Sequence, residues 1–198
     1  MEVYNFEQGA PEWFDVKRGV PSSSRFSHVL AGGAGKTRNG YLYELAEEIL
    51  TGKSRKTYFD KNMKKGTELE PFARDEYEFV TGNDVEQVGF IKKDDVGCSP
   101  DGLINLDGGL EIKCPLPSTH IKIVTMGVVP MKYKPQIQGS LLVTGRKWWD
   151  FCSYCPEIDG KYIFIRRVLR DEDYILKLKD SLVTFLEELD DTVESMKE

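Results

Sequence analysis

Hydrophobic residues recur at helical spacing along much of the chain. A stripe with a period of about 3.6 residues indicates an amphipathic helix, and the sequence predicts such helices over residues 11–17, 39–50, 61–80 and 172–196. Pro71 lies inside the third of these helices, and it is expected to kink the helix or to restart it. Both ends of the chain are therefore expected to be mainly helical.

Two further features interrupt this helical N-terminal half. The serines at positions 22–24 can cap a helix that runs through Phe26 and Leu30. The glycine-rich segment 32–35 follows, but it lacks the complete phosphate-loop pattern G-x-x-x-x-G-K-[ST]. We interpret that segment as a loop and predict no nucleotide site there.

The middle of the chain changes to short stretches that are typical of β-strands. Strands are predicted over residues 85–90, 102–105, 110–114, 148–154 and 162–168. The turn at residues 106–109 joins the second and third strands as a hairpin, and helices are predicted over 118–126 and 133–143. This order predicts one α/β domain over residues 1–198, with a central mixed sheet flanked by helices.

Composition places the chain among globular proteins. Of its 198 residues, 40% are hydrophobic and 30% are charged. No apolar run approaches the roughly 20 residues that cross a membrane, and the first eight residues are polar, unlike a signal peptide. We therefore expect no membrane association and a cytoplasmic location.

The formal net charge of −6 argues mildly against nucleic-acid binding. Charge is segregated along the chain, however, because acidic residues concentrate in 43–48 and 171–198 and basic residues in 53–65. The local field, and not the total charge, steers a phosphate backbone. Carboxylates of a metal site also add negative charge that bound cations neutralise.

Four cysteines occur in the chain, and two of them, Cys152 and Cys155, have the C-x-x-C spacing of zinc ligands. A single such pair is a weak signal. In a predicted strand, residues three apart point to opposite faces. Ordinary structural thiols are the favoured interpretation, and a metal or cluster site is the alternative.

The segment that carries candidate chemistry is S-P-D-G-L at 99–103, followed by E-I-K at 111–113. Glu111 and Lys113 are two apart on a predicted strand and share a face, and the hairpin returns Asp101 to that face. Two carboxylates suit Mg²⁺, which activates water and stabilises charge on a phosphate. A lysine beside them can position or deprotonate that water.

A purely structural interpretation of these residues also exists. P-D-G is a common turn sequence, and E-x-K on a strand often forms an exposed ion pair. The combination is more informative than either part, because the strand with Glu111 and Lys113 is otherwise apolar.

Several blocks together resemble the lambda exonuclease (YqaJ-type viral recombinase) branch of the PD-(D/E)XK nucleases. The blocks follow one another from about residue 8 to residue 168. They are Q-G at 8–9 with Trp13, K-R-G-V at 17–20, S-S-S at 22–24, G-T-E-L-E at 66–70, C-S-P-D-G-L at 98–103, G-L-E-I-K-C-P at 109–115 and Q-I-Q at 136–138. The resemblance implies a PD-(D/E)XK core.

The resemblance also implies a metal site. Asp101, Glu111 and the backbone carbonyl of Ile112 would hold Mg²⁺, for which Mn²⁺ would substitute, and Glu70 would complete a second metal position. Considered alone, Glu70 would be interpreted as a solvent-exposed helix acid. Lys113 would orient or activate the attacking water, and one or two ions would be bound per active site.

Further residues receive roles only through the resemblance. Gln136 would lie beside the site and help to hold the water or the lysine. Lys17 and Ser24 correspond to the arginine and serine that hold a terminal 5′-phosphate, with Arg18 as a possible substitute because lysine is not a bidentate donor. The alternative is that Lys17 and Arg18 cap the C-terminus of their helix. Met63 corresponds to an apolar wedge at the duplex end, or else it packs in the core.

The implied function is Mg²⁺-dependent, processive 5′→3′ digestion of double-stranded DNA ends to mononucleotides, which leaves a 3′ overhang. A ring-shaped homotrimer and a single-strand annealing protein are the implied partners, as in phage recombination. Two alternatives are an endonuclease of the same superfamily and a non-catalytic DNA-binding assembly protein. The endonuclease would need no terminal-phosphate pocket.

Overall fold

The computed structural model describes residues 1–31, 35–55 and 61–198, and the side chains of residues 61–63 lie outside that description. Its helices are α1 (Pro11–Lys17), α2 (Phe26–Val29), α3 (Lys36–Thr51), α4 (Lys61–Thr81), α5 (Pro117–Met126), α6 (Lys134–Thr144) and α7 (Glu172–Ser195). Its strands are β1 (Glu2–Tyr4), β2 (Val85–Glu86), β3 (Phe90–Lys93), β4 (Val96–Cys98), β5 (Gly102–Ile104), β6 (Gly108–Lys113), β7 (Trp148–Tyr154) and β8 (Ile163–Leu169).

The strands form two sheets. The larger one has the order β2-β5-β6-β7-β8, and the smaller one has the order β1-β3-β4. Strands β6 and β7 are parallel, whereas the other pairs are antiparallel. The predicted mixed central sheet flanked by helices is therefore confirmed.

The helical periodicity located most helices to within a few residues. Helix α7 buries a complete stripe from Ile175 to Val193, and the side chain of Asp171 accepts a hydrogen bond from the backbone N–H of Tyr174 at 3.0 Å. Helix α4 continues through Pro71 as one element, so the predicted restart is wrong. Within the described ranges, no helix combines the length and the apolar character that a membrane crossing requires.

The start of the second predicted helix differs from expectation. Residues Ser23–Arg25 form a single 3₁₀ turn that leads into the four-residue helix α2. Ser22 makes no capping hydrogen bond through its side chain, and Ser23 is buried with its hydroxyl directed to Ser140 Oγ at 3.1 Å. The serines are therefore drawn into packing against α6, and no extended helix begins at them.

The strands of the smaller sheet were missed or misplaced. The predicted strand 85–90 is divided, because β2 belongs to the larger sheet and β3 to the smaller one. Gly89 separates them, and a Cβ there would lie only 2.0 Å from the carbonyl oxygen of Phe6. Strands β1 and β4 are three residues long, which is too short for an alternating pattern to identify them.

The β5–β6 hairpin is held by contacts from outside it. The guanidinium of Arg146 donates to the carbonyl oxygens of Ile104, Asn105 and Gly108, at 3.2, 2.7 and 2.7 Å. Indole rings cover the first two residues of β6, since Cβ atoms added at Gly108 and Gly109 would lie 2.2 and 2.3 Å from the rings of Trp148 and Trp149. This part of β6 therefore accepts only glycine without a shift of the strand.

A buried polar network joins α4 to the sheet. The hydroxyl of Tyr77 donates to Asp150 Oδ2 at 2.7 Å, and Arg167 donates to both oxygens of Asp150 at 2.9 Å. Asp150 is buried on β7, and its charge is balanced by this bidentate pair. The network ties α4, which carries Glu70, to β7, the strand that pairs with β6 of the hairpin.

Candidate active site

The hairpin brings Asp101 against the strand that carries Glu111 and Lys113. Asp101 immediately precedes β5, and its Oδ2 accepts a hydrogen bond from the backbone N–H of Ile112 at 2.6 Å. Glu111 is 1% exposed and forms an ion pair with the ammonium of Lys113. Alternation along β6 turns Leu110 and Ile112 to the opposite side, where they pack with α4.

Helix α4 contributes a third carboxylate through Glu70. The guanidinium of Arg74, one turn further along, donates to Glu70 Oε1 at 2.6 Å and to the backbone carbonyl of Asp101 at 3.1 Å. Arg74 is buried, so these contacts join the helix directly to the turn that carries Asp101. Sequence reasoning missed Arg74, although its position four residues after Glu70 on one helix face was a usable signal.

These side chains border a cleft of about 320 Å³. Its lining is Gly66, Thr67, Glu70, Asp101, Ile112, Lys113, Cys114, Pro115 and Tyr133. Glu111 lies behind Lys113 and is sealed from solvent. The cleft thus presents carboxylates from α4 and the hairpin, with one ammonium between them.

The carboxylates of the cleft are only partly neutralised by the cations around them. Burial, reinforced by Asp101, raises the pKa of Glu70 to about 7. Burial likewise raises the pKa of Glu111 to about 7, although Lys113 opposes the shift, and burial raises the pKa of Asp101. Three carboxylates that resist ionisation together indicate a position suited to an additional cation.

The donors fit a hard divalent cation. Neither oxygen of Glu111 accepts a hydrogen bond from a described residue, and its ion pair with Lys113 engages only one of them. All candidate ligands are oxygen atoms, which Mg²⁺ and Mn²⁺ prefer. Among the described residues, no three acidic, histidine or cysteine side chains are already arranged around a common metal position. Arg74 and Lys113 engage Glu70 and Glu111 instead.

Lys113 is a positively charged hydrogen-bond donor in this arrangement. Burial alone would lower its pKa, but the carboxylates of Glu111 and Asp101 outweigh burial and raise it. Its ammonium also lies 5.6 Å from the ring centroid of Tyr133. The charges around it favour a positioning role for Lys113 over that of a base.

Tyr133, and not Gln136, lines the cleft. Gln136 is half-buried in the first turn of α6 and does not contribute to the cleft lining. The ring of Tyr133 packs 5.2 Å from that of Phe151, which holds it at the edge of the cleft. Its importance was not apparent in the sequence, since a lone tyrosine carries no distinctive pattern.

Lys17 occupies a different environment near the N-terminus. Its Nζ lies 3.7 Å from the ring centroid of Trp13 and 5.8 Å from that of Phe90. Burial lowers the pKa of Lys17 to about 8, and Glu48 only partly offsets the effect. Glu48 itself accepts hydrogen bonds from the backbone N–H groups of Gly19 and Arg55, and no described residue forms an ion pair with Lys17.

A groove of about 700 Å³ runs from Trp13, the ring against which Lys17 packs, to the carboxylates of the cleft. It is bordered by Trp13 and Gln8 on one side and by Glu70, Arg74 and Asp101 on the other. The indole N–H of Trp13 donates to the carbonyl of Gly89 at 3.0 Å, which fixes the ring that carries Lys17. The same two carboxylates thus border both the groove and the smaller cleft.

Comparison with known proteins identifies the family. Residues 12–147 match the YqaJ-like viral recombinase domain. The chain belongs to the YqaJ-like viral recombinase family. No curated protein matches the chain significantly.

Solved structures agree with this membership. The alkaline exonuclease LHK-Exo from Laribacter hongkongensis is 36% identical, with 95% of this chain and 96% of that chain covered, and it superposes with TM-scores of 0.88 alone and 0.89 in complex with dAMP. A phage-related exonuclease from Haemophilus somnus 129PT, at 15% identity, TM-score 0.68 and coverage of 92% and 99%, shares the fold. The predicted PD-(D/E)XK fold of this family member is confirmed.

Two other residues that the family resemblance had suggested, Arg18 and Ser24, lie in surroundings that differ from expectation. Arg18 forms an ion pair with Asp15 and borders a separate surface hollow, so it does not replace the arginine of the family pattern. Ser24 is exposed within the 3₁₀ turn, with its hydroxyl 3.3 Å from Ser22 Oγ. The expected helix N-terminus is therefore missing at Ser24. The side chain of Met63 lies outside the described residues.

The cysteines of this family member are free thiols. Cys152 is buried on β7, and burial raises its pKa, which keeps the thiol protonated. The backbone N–H of Cys155 donates to the carbonyl of Tyr162 at 2.7 Å, so the residue closes the end of the β7–β8 pair. These contacts account for both residues as parts of the sheet.

Proposed function

We propose that the chain is a divalent-metal-dependent exonuclease that degrades double-stranded DNA from its 5′ ends. The observation that carries this proposal is an excess of carboxylates at one end of a groove and a lysine near its other end. Carboxylates with raised pKa values border the groove through Glu70 and Asp101, and the half-buried Lys17 lies against Trp13. A terminal nucleotide carries a phosphate on each side of its sugar. The ammonium of Lys17 would attract one phosphate, and a divalent cation held by the carboxylates would attract the other.

The carboxylate region would hold the metal. Asp101, Glu111 and the carbonyl oxygen of Ile112 would bind Mg²⁺ or Mn²⁺, and Glu70 would complete a position for a second ion. When bound, such an ion activates water and neutralises charge on the phosphate that is cut. Lys113, kept protonated by its neighbours, would donate a hydrogen bond to the attacking water or to a phosphate oxygen.

The Lys17 region would hold the 5′-terminal phosphate. The ammonium of half-buried Lys17, which forms no ion pair with a described residue, would be stabilised by an incoming anion because the anion favours its charged form. The ring of Trp13 packs against the ammonium of Lys17. Ser24 is exposed. Recognition of the terminal phosphate supports digestion from the 5′ end and release of mononucleotides. The relative LHK-Exo has been solved with a mononucleotide, dAMP.

The larger assembly follows from the family resemblance. We propose that each chain is a single domain and that three chains form a ring in the host cytoplasm. The ring would enclose the duplex and make digestion processive. A single-strand annealing protein would receive the 3′ overhang. Sedimentation of the purified chain would test the trimer, and a monomer that remains processive would contradict the ring.

A duplex labelled separately at each end provides the central experiment. With Mg²⁺, label at the 5′ end should be released first as a mononucleotide, and with a chelator no label should be released. Closed circular duplex should remain intact under the same conditions. Cutting of the closed circle would show an endonuclease, and release from the 3′ end first would reverse the proposed polarity.

A further inference from the structure

Acidic residues are missing from one long segment of an otherwise acidic chain. The whole chain has 33 Asp and Glu among 198 residues, but none lies between Glu111 and Asp150. The segment nevertheless contains the basic residues Lys113, Lys122, Lys132, Lys134, Arg146 and Lys147. A segment that excludes one sign of charge beside a catalytic cleft indicates a surface that meets the opposite sign.

The exposed part of this segment borders the cleft at both of its ends. The chain leaves the cleft at Pro115, runs through α5, and returns at Tyr133, and both of these residues line the cleft. We call residues 115–133 the acid-free wall. It displays Lys122 and Lys132 on its surface, and Met131 beside Lys132 is 74% exposed.

Only some of the lysines in the segment are available to a ligand. Lys134 is bound to Asp171 at 2.8 Å, and Lys147 is bound to Asp107 at 3.0 Å. For Lys122 and Lys132, the described residues provide no ion pair. The charge of these two lysines is therefore not neutralised within the described part of the chain.

Lys132 lies close to the reacting group. Its Nζ is 4.8 Å from the ring centroid of Tyr133, and Nζ of Lys113 is 5.6 Å from the same centroid. The two ammonium groups are therefore separated by no more than about 10 Å. One strand of DNA carries a phosphate about every 3.4 Å along the helix axis, and neighbouring phosphates lie further apart than that in space. The separation of the two ammonium groups therefore covers at most about three phosphates.

We propose that Lys132 and the acid-free wall bind the phosphate backbone of the DNA strand in the cleft, within about three phosphates of the bond that is cut. Tyr133 holds the lysine by its ring face, and Met131 lies against the adjacent sugar or base. This contact rests on the proposed function and adds a substrate-binding surface that is distinct from the Lys17 region.

The test measures the salt dependence of duplex binding with Ca²⁺ in place of Mg²⁺, so that binding is followed without turnover. Lys132→Gln is expected to weaken binding about fivefold at moderate salt and to lower the slope of log K against log salt by about one. Lys132→Arg should retain the wild-type slope. Lys179→Gln, at an exposed position of α7, is the matched control and should change neither quantity.

Each outcome decides the inference. A wild-type slope for Lys132→Gln would overturn it, even if the wild-type protein cleaves DNA and the proposed function holds. If Lys132→Gln instead changes self-association in sedimentation and leaves DNA binding intact, the wall faces protein and the inference is wrong. A wild-type protein that binds duplex but never cleaves it would remove the proposed function, whereas the slope would still report on Lys132.

Discussion

The candidate catalytic cleft and the Lys17 region are both partly shielded from solvent, and their imbalances of charge have opposite signs. In the cleft, the carboxylates of Glu70, Asp101 and Glu111 outnumber the nearby cations, and their pKa values are raised. No carboxylate among the described residues forms an ion pair with Lys17, and burial lowers its pKa although Glu48 partly offsets the effect. Each shift disfavours the charged form of its own group. The difference indicates that one region is built for a cation and the other for an anion.

Removal of the central charges should give the largest effect. We expect Asp101→Ala and Lys113→Ala to reduce DNA cleavage by at least about 100-fold, because each removes a group next to the reacting phosphate. The measurement is single-turnover cleavage of a 5′-labelled duplex, with circular dichroism to confirm the fold. Near-normal activity in either variant would show that the cleft is not the catalytic site.

Arg74 should have the next largest effect, through Glu70. Arg74→Met is expected to weaken Mn²⁺ binding about 10-fold, a usual result when a group that orients a metal ligand is lost. Calorimetric titration with Mn²⁺ measures this directly, without DNA. Arg38→Met is a matched control, since Arg38 is a similarly shielded arginine that pairs with Glu188 on another face.

A double variant separates positioning from other roles of Arg74. If Arg74 acts by holding Glu70, then Arg74→Met should have little further effect on Mn²⁺ affinity in a Glu70→Gln background. Equal losses in both backgrounds would mean that Arg74 acts through its contact with the Asp101 carbonyl, or by another route.

Substitution of Lys17 should affect recognition of the DNA end and not the chemical step. Lys17→Gln is expected to reduce the preference for a 5′-phosphate over a 5′-hydroxyl about 10-fold, as expected for loss of one charge-assisted contact. Rates on both ends, measured with the same duplex sequence, provide the ratio. Lys17→Arg should preserve it, and an unchanged ratio in Lys17→Gln would place the terminal phosphate elsewhere.

The smallest expected effect is a pH dependence of that same preference. Burial lowers the pKa of Lys17 to about 8, so its cationic form predominates below pH 8 and declines above it. The 5′-phosphate preference should therefore fall a few-fold between about pH 7 and 9. Lys17→Arg, which stays charged throughout this range, should show a flat profile. A parallel decline in both proteins would exclude Lys17 as the titrating group.

The two regions also differ in how well the sequence predicted them. The hairpin site was predictable because a two-residue period and a turn sequence determine which side Glu111 and Lys113 share and where Asp101 returns. Arg74 and Tyr133 were not, because their contacts depend on the packing of α4 and α6 against the sheet. The isolation of Lys17 depends on rings from Trp13 and Phe90, far apart in sequence.

Helix positions were predicted more reliably than helix beginnings. The apolar stripes located α3 and α7 well, since each buries a continuous face. The serines before α2 suggested a cap, but Ser23 turns inward to Ser140 and Ser22 donates its N–H to the hydroxyl of Tyr41. Tertiary hydrogen bonds thus replaced the local cap, which sequence reasoning could not foresee.

The two indole rings over Gly108 and Gly109 determine the alignment of β6. If β6 shifted by one residue against its neighbouring strands, the side chain of Ile112 would point to the side that Glu111 and Lys113 now occupy. The side chains of Glu111 and Lys113 would then point into the apolar cluster beneath α4. Only glycine fits beneath the rings of Trp148 and Trp149 as they stand, so the two glycines set the register of β6 against β7. Two tryptophans outside the cleft thereby determine which face of β6 carries the candidate catalytic groups.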